Sequence, residues 1–200
     1  MSTDTKKVMV VGAGIAGLTA AWELSRQGVQ VLLVEKGSFL GGNAIQYSCK
    51  ASDECLRCSA CSVEKMLRNV VESENISIYL GQEVAKVTKG GAFSVTLKPS
   101  AAPSKETPKA VYTEDPVGCV AAKGYSKNNS EVKSIDAKSG QLNVDAMVLA
   151  TGFVPFDAAV KSTYGHGRFP NVITGLEMEQ IKRAYGSVVR PSDKKAPKSV

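Results

Sequence analysis

Apolar runs and helical stripes alternate along this chain, and their periods predict its elements. Val8-Met9-Val10-Val11 and Val31-Leu32-Leu33-Val34 are unbroken apolar runs, as expected of strands covered on both faces of a parallel sheet. Between them Ile15, Leu18, Ala21, Trp22 and Leu24 recur at helical spacing until Gly28 stops the pattern. Lys7 to Glu35 is therefore read as a β-α-β unit. Val63, Met66, Leu67, Val70 and Val71 form the stripe of a second helix over Ser62–Glu72, with Ser62 as its expected N-cap. Ile76–Leu80 reads as a third strand, and Glu83–Thr88 and Phe93–Leu97 flank Gly90-Gly91 as a hairpin. Pro99–Ala110 is rich in Pro, Ser and Lys without apolar periodicity and is read as a mobile loop. Val111–Lys123 and Glu131–Asp136 read as irregular strands of a meander, turned at Lys127-Asn128-Asn129-Ser130. Met147-Val148-Leu149-Ala150 predicts a further buried parallel strand.

The chemistry of the first unit lies in its turn. Gly12, Gly14 and Gly17 stand in G-x-G-x-x-G spacing between strand and helix. Gly12 permits the tight turn, Gly14 admits a pyrophosphate close to the backbone, and Gly17 lets the helix pack on the sheet. The amides at the helix N-terminus, Ile15 and Ala16 among them, favour negative charge. Glu35, 18 residues past Gly17 at the end of the second strand, is placed to accept hydrogen bonds from an adenosine ribose. A bare glycine triplet is weak evidence; with both strands, the helix and the terminal carboxylate it specifies a dinucleotide site.

Length and charge narrow the picture only slightly. The 200 residues suit one large domain, or one domain and part of another. The formal charge of +6 is partly local: Arg190, Lys194, Lys195 and Lys198 lie in the last eleven residues beside the single acid Asp193. With no aromatic residues interleaved, that tail reads as a solvated linker, not a nucleic-acid site. The polar start MSTDTKK is no signal peptide, and no run reaches membrane-spanning length. A nucleotide site with clustered cysteines points to a reducing cytosol.

Six residues after Glu35 comes Gly41-Gly42; Lys36 adjoins Glu35 and Asn43 adjoins the glycine pair. This E-x5-G-G arrangement resembles flavoproteins of the two-dinucleotide-binding-domain type, in which FAD lies extended across the first domain. The resemblance implies that the glycine pair passes near the ribityl and phosphate part, and that the backbone of a residue equivalent to Val84 meets the adenine. Ala150-Thr151-Gly152 matches the segment where the chain returns to the first domain and its backbone closes over FAD. The fold class read here is α/β, a Rossmann-like FAD-binding domain with a hairpin and meander insertion. Residues 1–157 would form that domain, with a cysteine-rich loop at 43–61 and the mobile loop at 99–110; residues 158–200 would be a connecting segment and basic linker.

Within the cysteine-rich loop, Cys55, Cys58 and Cys61 form C-x2-C-x2-C, and Cys49 stands six residues before Cys55. Four thiolates in so short a loop suit a [4Fe–4S] cluster. A four-cysteine zinc site, a redox dithiol near the flavin and plain loop thiols stay open beside it. Cys119, between Gly118 and Val120, reads as a small buried residue.

The remaining segment carries a narrower resemblance. ATGF-x-P-F-D, Tyr164-Gly165-His166-Gly167, Phe169-Pro170-Asn171-Val172-Ile173-Thr174, Leu176-Glu177 and Arg190-Pro191-Ser192-Asp193 resemble the flavoprotein A subunits of the heterodisulfide reductase family. They look especially like the related flavin subunits of the quinone-interacting membrane-bound oxidoreductase complex. The resemblance implies an FAD-bearing electron-transfer protein in sulfur, sulfate or anaerobic energy metabolism. Such proteins work beside iron–sulfur and heterodisulfide-reductase-like subunits, without a membrane span of their own. Members of that family continue into a second nucleotide-binding-type domain, which is expected to be missing here, leaving a helix over residues 175–184 with an apolar face exposed. His166, the single histidine, is read as a loop residue with a structural or partner-facing role. A stand-alone NAD(P)H-dependent flavin oxidoreductase would need a second G-x-G-x-x-G, and the sequence has none. The third alternative is a non-catalytic module in which the cysteine loop serves assembly.

Overall fold

The β-α-β unit forms as the periodicity predicts. In the computed structural model, which describes residues 6–37, 39–47, 61–101 and 141–199, β1 (Lys7–Val11), α1 (Ile15–Arg26) and β2 (Gln30–Glu35) follow one another as expected. Next come α2 (Cys61–Glu72), β3 (Ile76–Leu80), β4 (Gln82–Gly90), β5 (Ala92–Pro99), β6 (Gln141–Val144), β7 (Ala146–Leu149) and α3 (Gly175–Tyr185). A parallel sheet has the order β3-β2-β1-β7, and an antiparallel sheet the order β4-β5-β6. This is a Rossmann-like α/β sheet carrying an antiparallel insertion.

Alternation sorts the side chains of the parallel sheet. Met9, Leu32, Val34 and Tyr79 pack with Val95, Leu97 and Val144 of the antiparallel sheet in one buried cluster. The intervening residues Val8, Val10, Val31, Leu33, Ile76 and Ile78 are buried too. Their face of the sheet receives α1, whose Gly17, Leu18 and Ala21 are buried. Burial on both faces is why β1 and β2 read as continuous apolar runs.

Three expectations need correction. First, α2 begins at Cys61, so Ser62 is its second residue and not its cap; helix ends read from sequence shift by a residue or so. Second, β7 does pair in parallel with β1 but is not fully buried: Met147 and Val148 are half-buried and Leu149 is 73% exposed. β7 is an edge strand among the described residues, so only one side of it has a strand to cover it. Third, the basic tail is folded as far as Lys195. Arg190 pairs with Asp193, the Lys194 amide donates to the Arg190 carbonyl at 2.9 Å, and the Arg190 amide donates to the Lys195 carbonyl at 2.9 Å.

The sequence reading missed β6. Asp145 separates it from β7, donating its amide to the Lys7 carbonyl and accepting the Lys7 amide on its carboxylate, both at 2.8 Å. The bond from the Lys7 amide is the main cause holding the Asp145 carboxyl below its ordinary range. The expected strands 111–123 and 131–136, Cys119, the loop from residue 102 to 110, and Cys49, Cys55 and Cys58 lie outside the described residues. No helix among the described residues is long and apolar enough to cross a membrane.

Two units divide the chain: Met1–Gly42 with Ser62–Gly152, and Asn43–Cys61 with Phe153–Val200. In the second, α3 lies against a short turn of 3-10 helix at Ala44–Gln46. None of the described side chains of α3 is buried, and Met178 and Tyr185 are exposed.

Candidate dinucleotide-binding site

The glycines of the turn do different work, and the geometry separates them. Gly12 ends β1 at φ +99°, and a Cβ there would lie 2.3 Å from the Ala150 carbonyl oxygen. Its amide donates to the Val34 carbonyl at 2.7 Å, and Ala150 donates to the Val11 carbonyl at 2.8 Å. Ala150 is thus pressed against the turn by the β1–β7 ladder. A Cβ on Gly17 would fall 1.8 Å from the Gly12 carbonyl oxygen, because α1 runs directly over the turn. Both glycines are demanded by the protein's own backbone.

Gly14 is not. It is the N-cap of α1 with φ −70° and ψ −179°, a conformation open to any residue, and a Cβ built on it meets nothing within 4 Å. As N-cap residue Gly14 has no side chain to cap this end of α1, and Ile15 and Ala16 are exposed. The first amides of a helix have no partner inside it, so they face outward here with the positive end of the helix dipole.

Glu35 closes the other side. It is half-buried; its Oε2 accepts the Ala13 amide at 2.8 Å and its Oε1 accepts the Gly37 amide at 2.7 Å. Lys36 beside it is exposed. The Gly41 amide donates to the Ala13 carbonyl at 2.7 Å, and Gly41 bridges in parallel to Gly14. Gly42, at φ +58°, comes so near that its Cβ would lie 3.0 Å from the Gly14 Cα. The glycine loop, Glu35 and the Gly41-Gly42 turn therefore meet in the first unit, with Ala150 against the loop. Thr151 and Gly152 follow it and are exposed.

Two further candidates remain. Val84 sits in β4 opposite Leu97, beside an irregularity in the β4–β5 register, and packs on the buried cluster between the sheets. Asn43 belongs to the second unit, where its Nδ2 donates to the Phe153 carbonyl at 3.4 Å. Of the four loop cysteines only Cys61 falls within the described residues, as the first residue of α2. No group of three potential metal ligands occurs among the described residues. Sequence reasoning overlooked Ala13 and Gly37, the two amides that Glu35 holds. A glycine two residues beyond a carboxylate is a signal for a side chain bonding its own following turn.

His166 lies in the second unit, against the start of α3. Its Nε2 lies 3.1 Å from Glu177 Oε2, an oxygen that also accepts the Thr174 amide at 2.6 Å and the Thr174 hydroxyl at 2.8 Å. The Glu177 amide donates back to Thr174 Oγ1 at 3.2 Å, completing a capping box at the start of α3. The Thr174 amide is the main cause that holds the Glu177 carboxyl below its ordinary value, with the Thr174 hydroxyl and His166 adding to it. A depressed value means that the contribution to stability is complete above pH 4.5 and is lost as pH falls through the folded-state value. Glu177→Gln is therefore expected to lower thermal stability at neutral pH and to flatten the acid limb of the melting profile. Melts of both proteins from about pH 3 to about pH 7 check this; parallel acid limbs would contradict it.

The NAD(P)-binding Rossmann-like domain family matches residues 10–60. The A subunit of the ferredoxin:CoB-CoM heterodisulfide reductase of Methanosarcina acetivorans is 28% identical over 240 aligned residues, covering 94% of this chain and 30% of the relative. The A subunit of the H(2)/formate:CoB-CoM heterodisulfide,ferredoxin reductase of Methanococcus maripaludis is 30% identical over 239, covering 96% and 36%. The chain spans about a third of the length of these relatives. Among solved structures, the L-proline dehydrogenase of P. horikoshii overlays with a TM-score of 0.47 at 19% identity, covering 94% of this chain and 31% of its own.

Proposed function

We propose, from the chain's similarity to heterodisulfide reductase A subunits, that it is the FAD-holding part of an electron-transfer protein. One observation carries the nucleotide part of this reading. Gly14 has neither a backbone nor a packing reason to be glycine, and it stands at the uncapped, exposed N-terminus of α1. Space for a Cβ that no protein atom claims suits a pyrophosphate brought against the backbone. The residues present therefore fit the group.

In this reading Gly14 and the amides of Ile15 and Ala16 face the pyrophosphate. Glu35 takes the adenosine ribose on the lone pairs its two amide partners leave free. Gly41 and Gly42 border the phosphates, Val84 offers backbone to the adenine, and Ala150-Thr151-Gly152 lie along the flavin side. Lys36 and Asn43, next to Glu35 and Gly42 in the chain, are the remaining members of the proposed set. FAD would supply a ring system that takes up and returns electrons, while this chain binds, orients and shields it.

We further propose that Cys49, Cys55, Cys58 and Cys61 hold a [4Fe–4S] cluster; the spacing C-x2-C-x2-C with an outlying cysteine supports it. The protein would work in the cytosol beside iron–sulfur and heterodisulfide-reductase-like subunits, in sulfur, sulfate or other anaerobic energy metabolism. The test is anaerobic purification, a UV–visible spectrum, and flavin and iron assays on one sample. Flavin bands with a broad iron–sulfur shoulder are expected. Flavin without iron would remove the cluster and keep the relay, and a chain that never takes up FAD even with its partners would overturn the whole reading.

A further inference from the structure

We infer that Glu35 is a positioning residue that holds the nucleotide cradle together through backbone amides of two loops; the inference rests on the dinucleotide reading of that cradle. A ribose-binding carboxylate needs only to be present at the end of β2. This one does more. Its two oxygens accept backbone amides on opposite sides, Ala13 at 2.8 Å and Gly37 at 2.7 Å. Ala13 is fully buried in the middle of the glycine loop, 22 residues earlier in the chain.

Each amide partner passes the connection on. The Ala13 carbonyl accepts the Gly41 amide at 2.7 Å, tying in the Gly41-Gly42 turn. The Gly37 carbonyl accepts the Gly81 amide at 2.9 Å, tying in the link between β3 and β4. Glu35 is thus the centre of a continuous hydrogen-bonded path from the Gly41-Gly42 turn, through the glycine loop, to the far side of β2. A Cβ on Gly37 would lie 3.2 Å from Glu35 Oε1, so the carboxylate rests directly on that turn.

Two consequences follow for binding. The Ala13 amide is occupied, which leaves Gly14, Ile15 and Ala16 as the phosphate-facing donors. A cradle held by the protein's own hydrogen bonds binds its ligand at a lower entropic cost of ordering the two loops.

Glutamine separates this role from simple ribose contact. A ribose hydroxyl donates and accepts, so a side-chain amide could replace the carboxylate there with modest loss. The two backbone amides only donate. Whichever way the side-chain amide of the Glu35→Gln variant turns, one of them faces an NH2 group and is left unpaired.

The experiment is amide hydrogen exchange by NMR on the nucleotide-free chain and on Glu35→Gln, followed by calorimetric titration of both with FAD and with ADP. In the native chain Ala13, Gly37 and Gly41 are expected to be protected. In Glu35→Gln, Ala13 or Gly37 should exchange at least about tenfold faster while Val10 and Leu33 keep their protection, and the Kd for both ligands should rise about tenfold. Free exchange at Ala13 and Gly37 in the native chain would overturn the inference even if the variant failed to fold. So would unchanged protection in the variant, or lost protection with unchanged affinity. Protected amides in a native chain that binds neither FAD nor ADP would sink the dinucleotide reading instead, and the use of the cradle with it.

Discussion

Gly17→Ala is expected to lose at least about 3 kcal/mol of stability and to yield little folded protein at working temperature. The added methyl would fall 1.8 Å from the Gly12 carbonyl oxygen and 2.9 Å from its carbonyl carbon. Neither is the movable end of a side chain. Relief would require α1 to lift off the β1 turn, and α1 supplies Leu18 and Ala21 to the core on that face of the sheet. In an ordinary helix interior the same exchange would stabilise by close to 1 kcal/mol, since alanine is the better helix former. The sign of the measured change, read by urea unfolding of the two proteins side by side, therefore reports on this contact alone. A variant at least as stable as the parent would show that α1 does not cross the turn at this distance.

Gly14→Ala is expected to do the opposite: to leave stability within about 0.5 kcal/mol of the parent and to weaken FAD binding by about tenfold to a hundredfold. The backbone at Gly14 is extended and suits any residue, and the new methyl meets no protein atom within 4 Å. With no described residue in its way, a collision is expected from a ligand drawn close to the N-terminus of α1. A titration with FAD beside a melting curve separates the two effects. Unchanged affinity would place the pyrophosphate elsewhere and remove the observation on which the proposed function rests. The two substitutions lie three residues apart in one motif, yet one tests the fold and the other the site.

Much of this was legible in the chain itself, for reasons that can be named. β1 and β2 appear as apolar runs because both faces of the parallel sheet are covered, by α1 on one side and the antiparallel sheet on the other. The hairpin β4–β5 was marked by Gly90-Gly91. β6 was missed although its alternation is present: Leu142 and Val144 turn inward and Gln141 and Asn143 outward. Four residues of period two carry little weight until a partner strand is known, and the partner, β5, lies more than forty residues earlier. The burial of β7 was overestimated because an apolar run records the strand and not its place at the edge of a sheet. The basic tail was read as a linker because charge composition does not register the turn that Arg190 makes with Asp193 and Lys195.

The site divides in the same way. By itself the sequence determined that a dinucleotide turn exists and where it lies, because glycine spacing and the period of the flanking elements are local properties. It also carried the resemblance to heterodisulfide reductase A subunits, through motifs spread along the chain in a fixed order. Only the tertiary structure decided what each motif residue does there. Three glycines of equal standing in the sequence became two required by backbone contact and one facing open space, since that distinction depends on Ala150 and on the line taken by α1. Glu35 became the acceptor of backbone amides from two loops, because which amides reach a carboxylate is settled by how distant segments pack, and a chain read in one dimension does not hold that information.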